Sequence, residues 1–273
     1  MPRGSGGKAH AWTHRAFAVV TGASSGIGLE LARQFQANGF DLIVAAEDDA
    51  IHAVAAELGA EPVQVDLAVP EGVGALYARI VETGRPVDAL ALNAGIGVGG
   101  AFADDAEGTD LSQELRLVDL NCRSTVHLAK LVLRDMKARN AGRVLITSSI
   151  ASTMPGSFQA VYNASKSFDQ AFGLALRDEL EDTGISVTLL MPGPTDTDFF
   201  ERADMLDTAV GTGEKDDPAD VARDGFEAML AGEERVVSHS LKTKVQGRAS
   251  RVLPDSAKAA MHRRMAEPGS SKS

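Results

Sequence analysis

Short runs of consecutive apolar residues alternate along the chain with longer segments in which apolar residues recur every three or four positions. The apolar runs predict buried strands at residues 16–20, 41–45, 62–65, 87–92, 143–147, 185–190 and 235–238. The periodic segments predict helices at residues 29–37, 49–58, 71–82, 111–139, 158–181 and 218–231. Strands that are apolar on both faces are typical of a parallel sheet covered on each side. The pattern therefore predicts an α/β fold, with a doubly wound parallel sheet in three αβα layers.

The length of 273 residues suits one large α/β domain or two small ones. Because no linker interrupts the alternation of strands and helices, we expect a single domain over residues 16–240. Residues 1–15 are polar and rich in glycine, and we expect them to form a flexible lead-in. Residues 195–217 are expected to form a substrate loop, in which residues 199–217 read as irregular and acidic, and residues 241–273 read as a basic tail that is expected to be helical.

Charge and cysteine content narrow the classes of function. The formal net charge is −11, which argues against binding nucleic acid through the whole surface. No apolar run is long enough to cross a membrane. Cys122 is the one cysteine, so no intramolecular disulfide can form, as suits a reducing cytoplasm. The basic tail indicates either packing against an acidic surface or a site for an anionic partner. The scattered histidines predict no metal site.

The turn after the first strand carries glycines in a G-x-x-x-G-x-G spacing, within TGASSGIG at residues 21–28. Gly22 permits a tight turn, Gly26 lets the backbone approach a pyrophosphate, and Gly28 allows a helix to pack closely on a strand. The amides at the start of the next helix then face the phosphates. In parallel sheets, ligands lie at the carboxyl ends of the strands. The turn therefore predicts a dinucleotide site.

Tyr162 and Lys166 are four residues apart in a predicted helix, so their side chains share one face. A neighbouring ammonium favours the phenolate, which predicts a lowered pKa for the Tyr162 phenol. A tyrosine of this kind is a candidate general acid/base near neutral pH.

Four motifs in order make the chain resemble the classical short-chain dehydrogenase/reductase family. They are TGASSGIG at residues 21–28, Asn-Ala-Gly at residues 93–95, Ser149, and Tyr162 with Lys166. The resemblance covers residues 16–240. It implies a Rossmann fold and an NAD(P)-dependent oxidoreductase that interconverts an alcohol and a ketone or aldehyde by hydride transfer. It also implies a small-molecule substrate and a homodimer or homotetramer.

The resemblance assigns roles to individual residues. Tyr162 would be the general acid/base, and Lys166 would lower its pKa and bind the nicotinamide ribose. Ser149 would hold the substrate oxygen, and Asn121 would hold a water for proton relay. The cofactor contacts implied in this way are Gly22, Ser24, Ser25, Gly26, Ile27, Gly28, Glu47, Asp66, Leu67, Asn93, Ala94, Gly95, Tyr162, Lys166, Pro192, Gly193 and Thr195.

Three acidic residues at the end of the second strand, Glu47, Asp48 and Asp49, would repel the 2′-phosphate of NADP. We therefore expect NAD to be preferred over NADP. Two other functions stay open: a dinucleotide sensor or scaffold without turnover, and a non-redox lyase of the same fold. The complete set of catalytic residues favours the dehydrogenase. Substrate specificity is expected in loops 96–110, 150–160 and 195–217.

Overall fold

The computed structural model describes residues 14–104, 108–237 and 254–272. Within these ranges, a seven-stranded parallel sheet has the order β3-β2-β1-β4-β5-β6-β7. The strands are β1 Phe17–Thr21, β2 Asp41–Ala46, β3 Glu61–Gln64, β4 Ala89–Leu92, β5 Gly142–Thr147, β6 Ile185–Met191 and β7 Arg235–Val237. The predicted doubly wound parallel sheet is confirmed.

Helices connect the strands and cover both faces of the sheet. They are α1 Gly26–Ala37, α2 Ala50–Leu58, α3 Pro70–Glu82, α4 Leu111–Val118, α5 Thr125–Arg139, α6 Ala160–Glu179, α7 Phe199–Arg202, α8 Ala209–Thr212, α9 Pro218–Ala231 and α10 Asp255–Ala266. The continuous helix predicted over residues 111–139 is interrupted, because Asp119–Ser124 forms a π-helical turn between α4 and α5. Among the described helices, none combines the length and apolar character needed to span a membrane.

The core lies in two layers, one on each face of the sheet. In β1, Ala18 and Val20 face the layer formed with α1, α2 and α9, while Phe17 and Val19 face the layer formed with α3 and α5. This alternation follows from the two-residue period of a strand. Burying each large apolar side chain contributes about 1.5–3 kcal/mol, so both faces stabilise the sheet.

The irregular segment predicted at residues 199–217 contains the two short helices α7 and α8. The basic tail is described from residue 254 onward, and it includes α10 as the expected helix. Residues 1–13 of the lead-in, residues 105–107 of the predicted loop 96–110, and residues 238–253, which include the start of the tail, lie outside the described residues. The strand order reverses between β1 and β4. Such a reversal opens a crevice at the carboxyl edge of the sheet.

Candidate active site

A cavity of about 740 Å³ lies at this carboxyl edge. Its size is in the range of small-molecule and cofactor sites. Every residue predicted for the site lines it except Asn121. The predicted residues in its wall are Gly22, Ser24, Ser25, Gly26, Ile27, Gly28, Glu47, Asp66, Leu67, Asn93, Ala94, Gly95, Ser149, Tyr162, Lys166, Pro192, Gly193 and Thr195.

The turn between β1 and α1 has the backbone that its glycines require. Gly22 has φ +64°, a left-handed conformation that side chains rarely adopt. A Cβ added at Gly28 would lie 1.9 Å from the Gly22 carbonyl oxygen. Ser25 makes no side-chain capping bond to α1, so the first-turn amides stay available to an anion. The turn therefore fits a dinucleotide pyrophosphate.

Asn93 fixes the strand ends around this turn. Its backbone N–H donates to Thr21 Oγ1 at 3.0 Å, and its Nδ2 donates to the Thr21 carbonyl at 3.2 Å. Thr147 Oγ1 in turn donates to Asn93 Oδ1 at 3.0 Å. Three neighbouring strands, β1, β4 and β5, are thereby held in register at the floor of the cavity.

A charged network closes the end of the cavity beside β2. Arg116 of α4 pairs with Asp66 Oδ2 at 2.9 Å and also with Glu47. The hydrogen bond from Arg116 holds the pKa of the Asp66 carboxyl below its usual range. Ser24 Oγ donates to Asp48 Oδ2 at 2.7 Å. No sequence motif indicates Arg116, because it lies 50 positions from Asp66 and only the fold brings them together.

Tyr162 lies in the opposite half of the cavity, where Ser149 is hydrogen-bonded to its phenol. The ring of Phe199 packs against it with centroids 5.2 Å apart. The spacing to Lys166 predicts a lowered pKa, and this prediction is wrong for the net effect. Burial raises the pKa of the Tyr162 phenol and outweighs the charge of Lys166 and the Ser149 bond, which lower it. The phenol is therefore protonated at neutral pH.

Lys166 is almost fully buried and makes two fixed contacts. Its Nζ donates to the Thr147 carbonyl at 2.9 Å and to Asp169 Oδ2 at 3.1 Å. Burial disfavours its charged form, but the charge of Asp169 holds the pKa of Lys166 above its ordinary value. An ammonium has three donors, so one remains for a further acceptor. Asp169 belongs to no sequence motif named above, although its i,i+3 spacing from Lys166 could have indicated it.

Asn121 lies in the π-helical turn and is completely buried. Its Oδ1 accepts from Ile96 N–H at 2.9 Å. Its Nδ2 donates to the Ile96 carbonyl and to Ser165 Oγ, each at 3.0 Å. The side chain thus braces the turn after β4 behind the cavity wall. Isolated π-turns often occur at functional sites, and the water-holding role of Asn121 stays a prediction.

No sequence pattern indicates that the tail reaches the cavity. His262 and Met265 of α10 line it, as does Gln159 just before α6. No periodicity or motif connects residues so distant in the chain, and tertiary packing alone places them there. Within the part of the chain that the structure describes, no group of three or more His, Cys, Asp or Glu side chains could hold a metal ion.

Known proteins share both the sequence pattern and the fold. The family model for short chain dehydrogenases matches residues 16–205. The mouse protein called dehydrogenase/reductase SDR family member 7B is 32% identical over 238 residues. That match covers 81% of this chain and 72% of the mouse protein.

Two solved structures extend the comparison. A short-chain dehydrogenase from Sphingobium yanoikuyae, in complex with NADPH, superposes with a TM-score of 0.75 at 27% identity. The match covers 88% of this chain and 96% of that protein. A short-chain dehydrogenase/reductase from Burkholderia phymatum, in complex with NAD, has a TM-score of 0.77 at 24% identity, with 85% and 92% of the two chains covered.

Proposed function

This chain belongs to the short-chain dehydrogenase/reductase family of NAD(P)-dependent oxidoreductases, and from that membership we propose that it interconverts an alcohol and a ketone or aldehyde. One observation carries the proposal. Tyr162, Ser149 and Lys166 line the same cavity as the glycine turn that fits a dinucleotide. A proton donor and a cofactor site thus share one enclosed space, as hydride transfer to a carbonyl requires.

The nicotinamide cofactor supplies the hydride when it is bound. The first-turn amides of α1 would hold the pyrophosphate. The third N–H of Lys166 is available to a ribose hydroxyl, since the other two donate to Thr147 and Asp169. The residues of the turn and Lys166 therefore bind and orient the cofactor.

Tyr162 and Ser149 act on the substrate oxygen. In reduction, the Tyr162 phenol donates its proton to the carbonyl oxygen, and its raised pKa keeps that proton in place at neutral pH. The Ser149 hydroxyl donates a hydrogen bond to the same oxygen. The positive charge of Lys166 then stabilises the phenolate that the transfer leaves behind. In oxidation the phenolate removes the proton from the alcohol.

We propose NAD as the preferred cofactor. Glu47, Asp48 and Asp66 line the adenosine half of the cavity, and their carboxylates repel a 2′-phosphate. Arg116 is the cation at this end, and it is already paired with Glu47 and Asp66. Phosphate binding would have to compete with both of these pairs.

The test is an absorbance assay of NADH and NADPH oxidation against a panel of ketones and aldehydes, with the reverse assay on alcohols. Tyr162→Phe should lower turnover about 10²–10⁴-fold, the usual contribution of a general acid, and retain cofactor binding. Tyr77→Phe is the matched control, because the Tyr77 hydroxyl bonds to Asp135 outside the cavity. Equal activity of Tyr162→Phe and wild type would overturn the assignment.

A further inference from the structure

The C-terminal helix α10 returns to the catalytic cavity and is fixed there by backbone contacts. Beyond the helix, Ser271 N–H donates to the Asp207 carbonyl at 3.0 Å, and Gly269 N–H donates to Asp207 Oδ2 at 2.7 Å. On the helix itself, the Ala259 carbonyl accepts from Ser157 Oγ at 3.3 Å. The helix is thus anchored both to the α7–α8 loop and to the segment before α6, and it forms part of the cavity wall.

His262 is the polar side chain that α10 contributes to this wall. It is 6% exposed, and its Nδ1 lies 2.9 Å from the Ser157 carbonyl oxygen. Since a carbonyl can only accept, Nδ1 carries the proton. Burial lowers the pKa of the ring below its ordinary value, so the imidazole is neutral at neutral pH. In that tautomer Nε2 is a hydrogen-bond acceptor.

Gln159 is the second polar side chain in this part of the wall. It is 6% exposed, it lines the cavity, and its buried Nε2 finds no hydrogen-bond partner among the described residues. A buried amide donor in this state costs stability unless a ligand satisfies it. Gln159 is two residues from Ser157, whose carbonyl accepts the hydrogen bond of His262, and both side chains line the cavity.

Phe158, which lies between Ser157 and Gln159 in the chain, has a strained backbone. Phe158 has φ +62°, a left-handed conformation that is rare for an aromatic residue. Its carbonyl accepts from Gly100 N–H at 2.9 Å, and the Arg263 guanidinium of α10 lies 5.1 Å from its ring centroid. Strain of this kind persists where the surroundings fix it and is concentrated at functional sites. Here it sets the direction of the backbone that enters Gln159.

Apolar side chains also line the cavity. They include Met154, Phe199, Phe200 and Met265. Arg202 and Asp198 of the α7 segment line it as well, and they pair with each other at 3.4 Å. Resting on the oxidoreductase activity proposed above, we propose that Gln159 and His262 together bind a hydroxyl group on an otherwise apolar carbonyl substrate. A hydroxyl donates one hydrogen bond and accepts others, so it satisfies the amide donor and the imidazole acceptor at once. A carboxylate can only accept hydrogen bonds, so it would be repelled by the lone pair on His262 Nε2. An ammonium can only donate, so it would be repelled by the N–H groups of Gln159 Nε2. The substrate class is therefore a hydroxy-ketone or hydroxy-aldehyde, with the diol as its reduced form.

The test uses a series of methyl ketones of increasing chain length, each compared with the same ketone carrying a terminal hydroxyl. At the best chain length, the kcat/KM of the wild type should be about tenfold or more higher for the hydroxylated ketone than for the unsubstituted ketone. The reason is that the polar groups of the site find no hydrogen-bond partner when the unsubstituted ketone is bound. Gln159→Leu and His262→Phe should each abolish most of this preference, because kcat/KM should fall further for the hydroxylated ketone than for the unsubstituted one. His262→Gln, which keeps a polar atom near the position of Nε2, should retain part of it. Gln36→Leu, at an exposed position of α1, is the matched control.

A binding measurement separates this proposal from the proposed activity. Calorimetry with the Tyr162→Phe protein saturated with NAD⁺ should show tighter binding of the hydroxylated ketone, and Gln159→Leu added to that protein should remove the difference. Equal affinity for both ketones, or variants that weaken both equally, would overturn the hydroxyl site. Absence of turnover by wild type with every carbonyl, alongside selective binding, would instead count against the oxidoreductase activity alone.

Discussion

Lys166 and Asp169 form a buried ion pair within one turn of α6. Asp169 is 1% exposed, its Oδ2 accepts from Lys166 Nζ at 3.1 Å, and its Oδ1 finds no partner in the described part of the chain. Burying two charges costs free energy that a single good contact offsets only in part. We therefore infer a functional role for the pair. Asp169 fixes the direction of the Lys166 ammonium and keeps it charged, and that charge stabilises the Tyr162 phenolate.

The first prediction concerns Asp169→Asn. The carboxylate raises the pKa of Tyr162, so removing its charge should lower that pKa. In alcohol oxidation the phenolate is the base, and the rate rises as the pH passes the Tyr162 pKa. That rise should move to lower pH in the variant. We also expect kcat/KM to fall about tenfold, because the ammonium is held less firmly.

The measurement is the pH profile of kcat/KM for the variant and for Asp178→Asn, an exposed carboxylate on the same helix. A purely structural role for Asp169 would lower stability and leave the profile in place. An unshifted profile would thus contradict the electrostatic role.

The second prediction concerns cofactor choice at Glu47. Glu47→Gln removes one of the two carboxylates that pair with Arg116, which frees part of the guanidinium for a 2′-phosphate. The ratio of kcat/KM for NADP over NAD should rise about tenfold. Glu57→Gln is the control, because Glu57 pairs with Arg33 instead. A wild type that prefers NADP would refute the repulsion argument.

At the scale of elements, the glycine turn and α1 act as one binding unit. The third prediction is that Gly28→Ala weakens cofactor binding at least tenfold and destabilises the fold by about 1–3 kcal/mol, since its Cβ overpacks the turn. The clash is with the Gly22 carbonyl, 1.9 Å from the added atom. Cofactor titration and urea unfolding measure the two effects.

Gly74→Ala in α3 is the opposite case. No heavy atom lies within 4 Å of its added Cβ, so the substitution should stabilise the protein by about 0.5–1 kcal/mol, the helix preference of alanine over glycine. If both variants behaved alike, close packing of the turn would not be the cause.

At the scale of the whole molecule, apolar side chains are exposed on neighbouring helices. Leu111 and Leu115 of α4 are 68% and 55% exposed, and Phe168 of α6 is 41% exposed. The helices α4 and α6 contact each other. Exposed apolar surface of this kind favours association, and we propose that it contributes to a homodimer or homotetramer.

The fourth prediction follows from this surface. Leu115→Glu places a charge in the proposed interface and should shift the assembly toward monomer, with its dissociation constant raised at least about tenfold. Light scattering across a concentration series measures the shift. Val81→Glu, 56% exposed on α3, should leave the assembly unchanged. A wild type that is monomeric throughout the series would rule the interface out.

The sheet and the cofactor turn follow from the amino-acid sequence alone. Buried parallel strands appear in the sequence as runs of consecutive apolar residues. The roles of Gly22 and Gly28 follow from backbone sterics, which depend on near neighbours in the chain. The grouping of Ser149, Tyr162 and Lys166 in one cavity also follows, because the carboxyl ends of parallel strands meet at one edge.

Other features depend on how the whole chain packs. The π-helical turn at Asn121 leaves the apolar period intact on either side, so periodicity predicts an unbroken helix. The pairing of Arg116 with Asp66 and the placement of His262 beside Ser157 join residues far apart in sequence. The net direction of the Tyr162 pKa depends on how much water the folded cavity excludes. Burial and long-range contact are properties of the packed chain, and a local pattern of residues does not encode them.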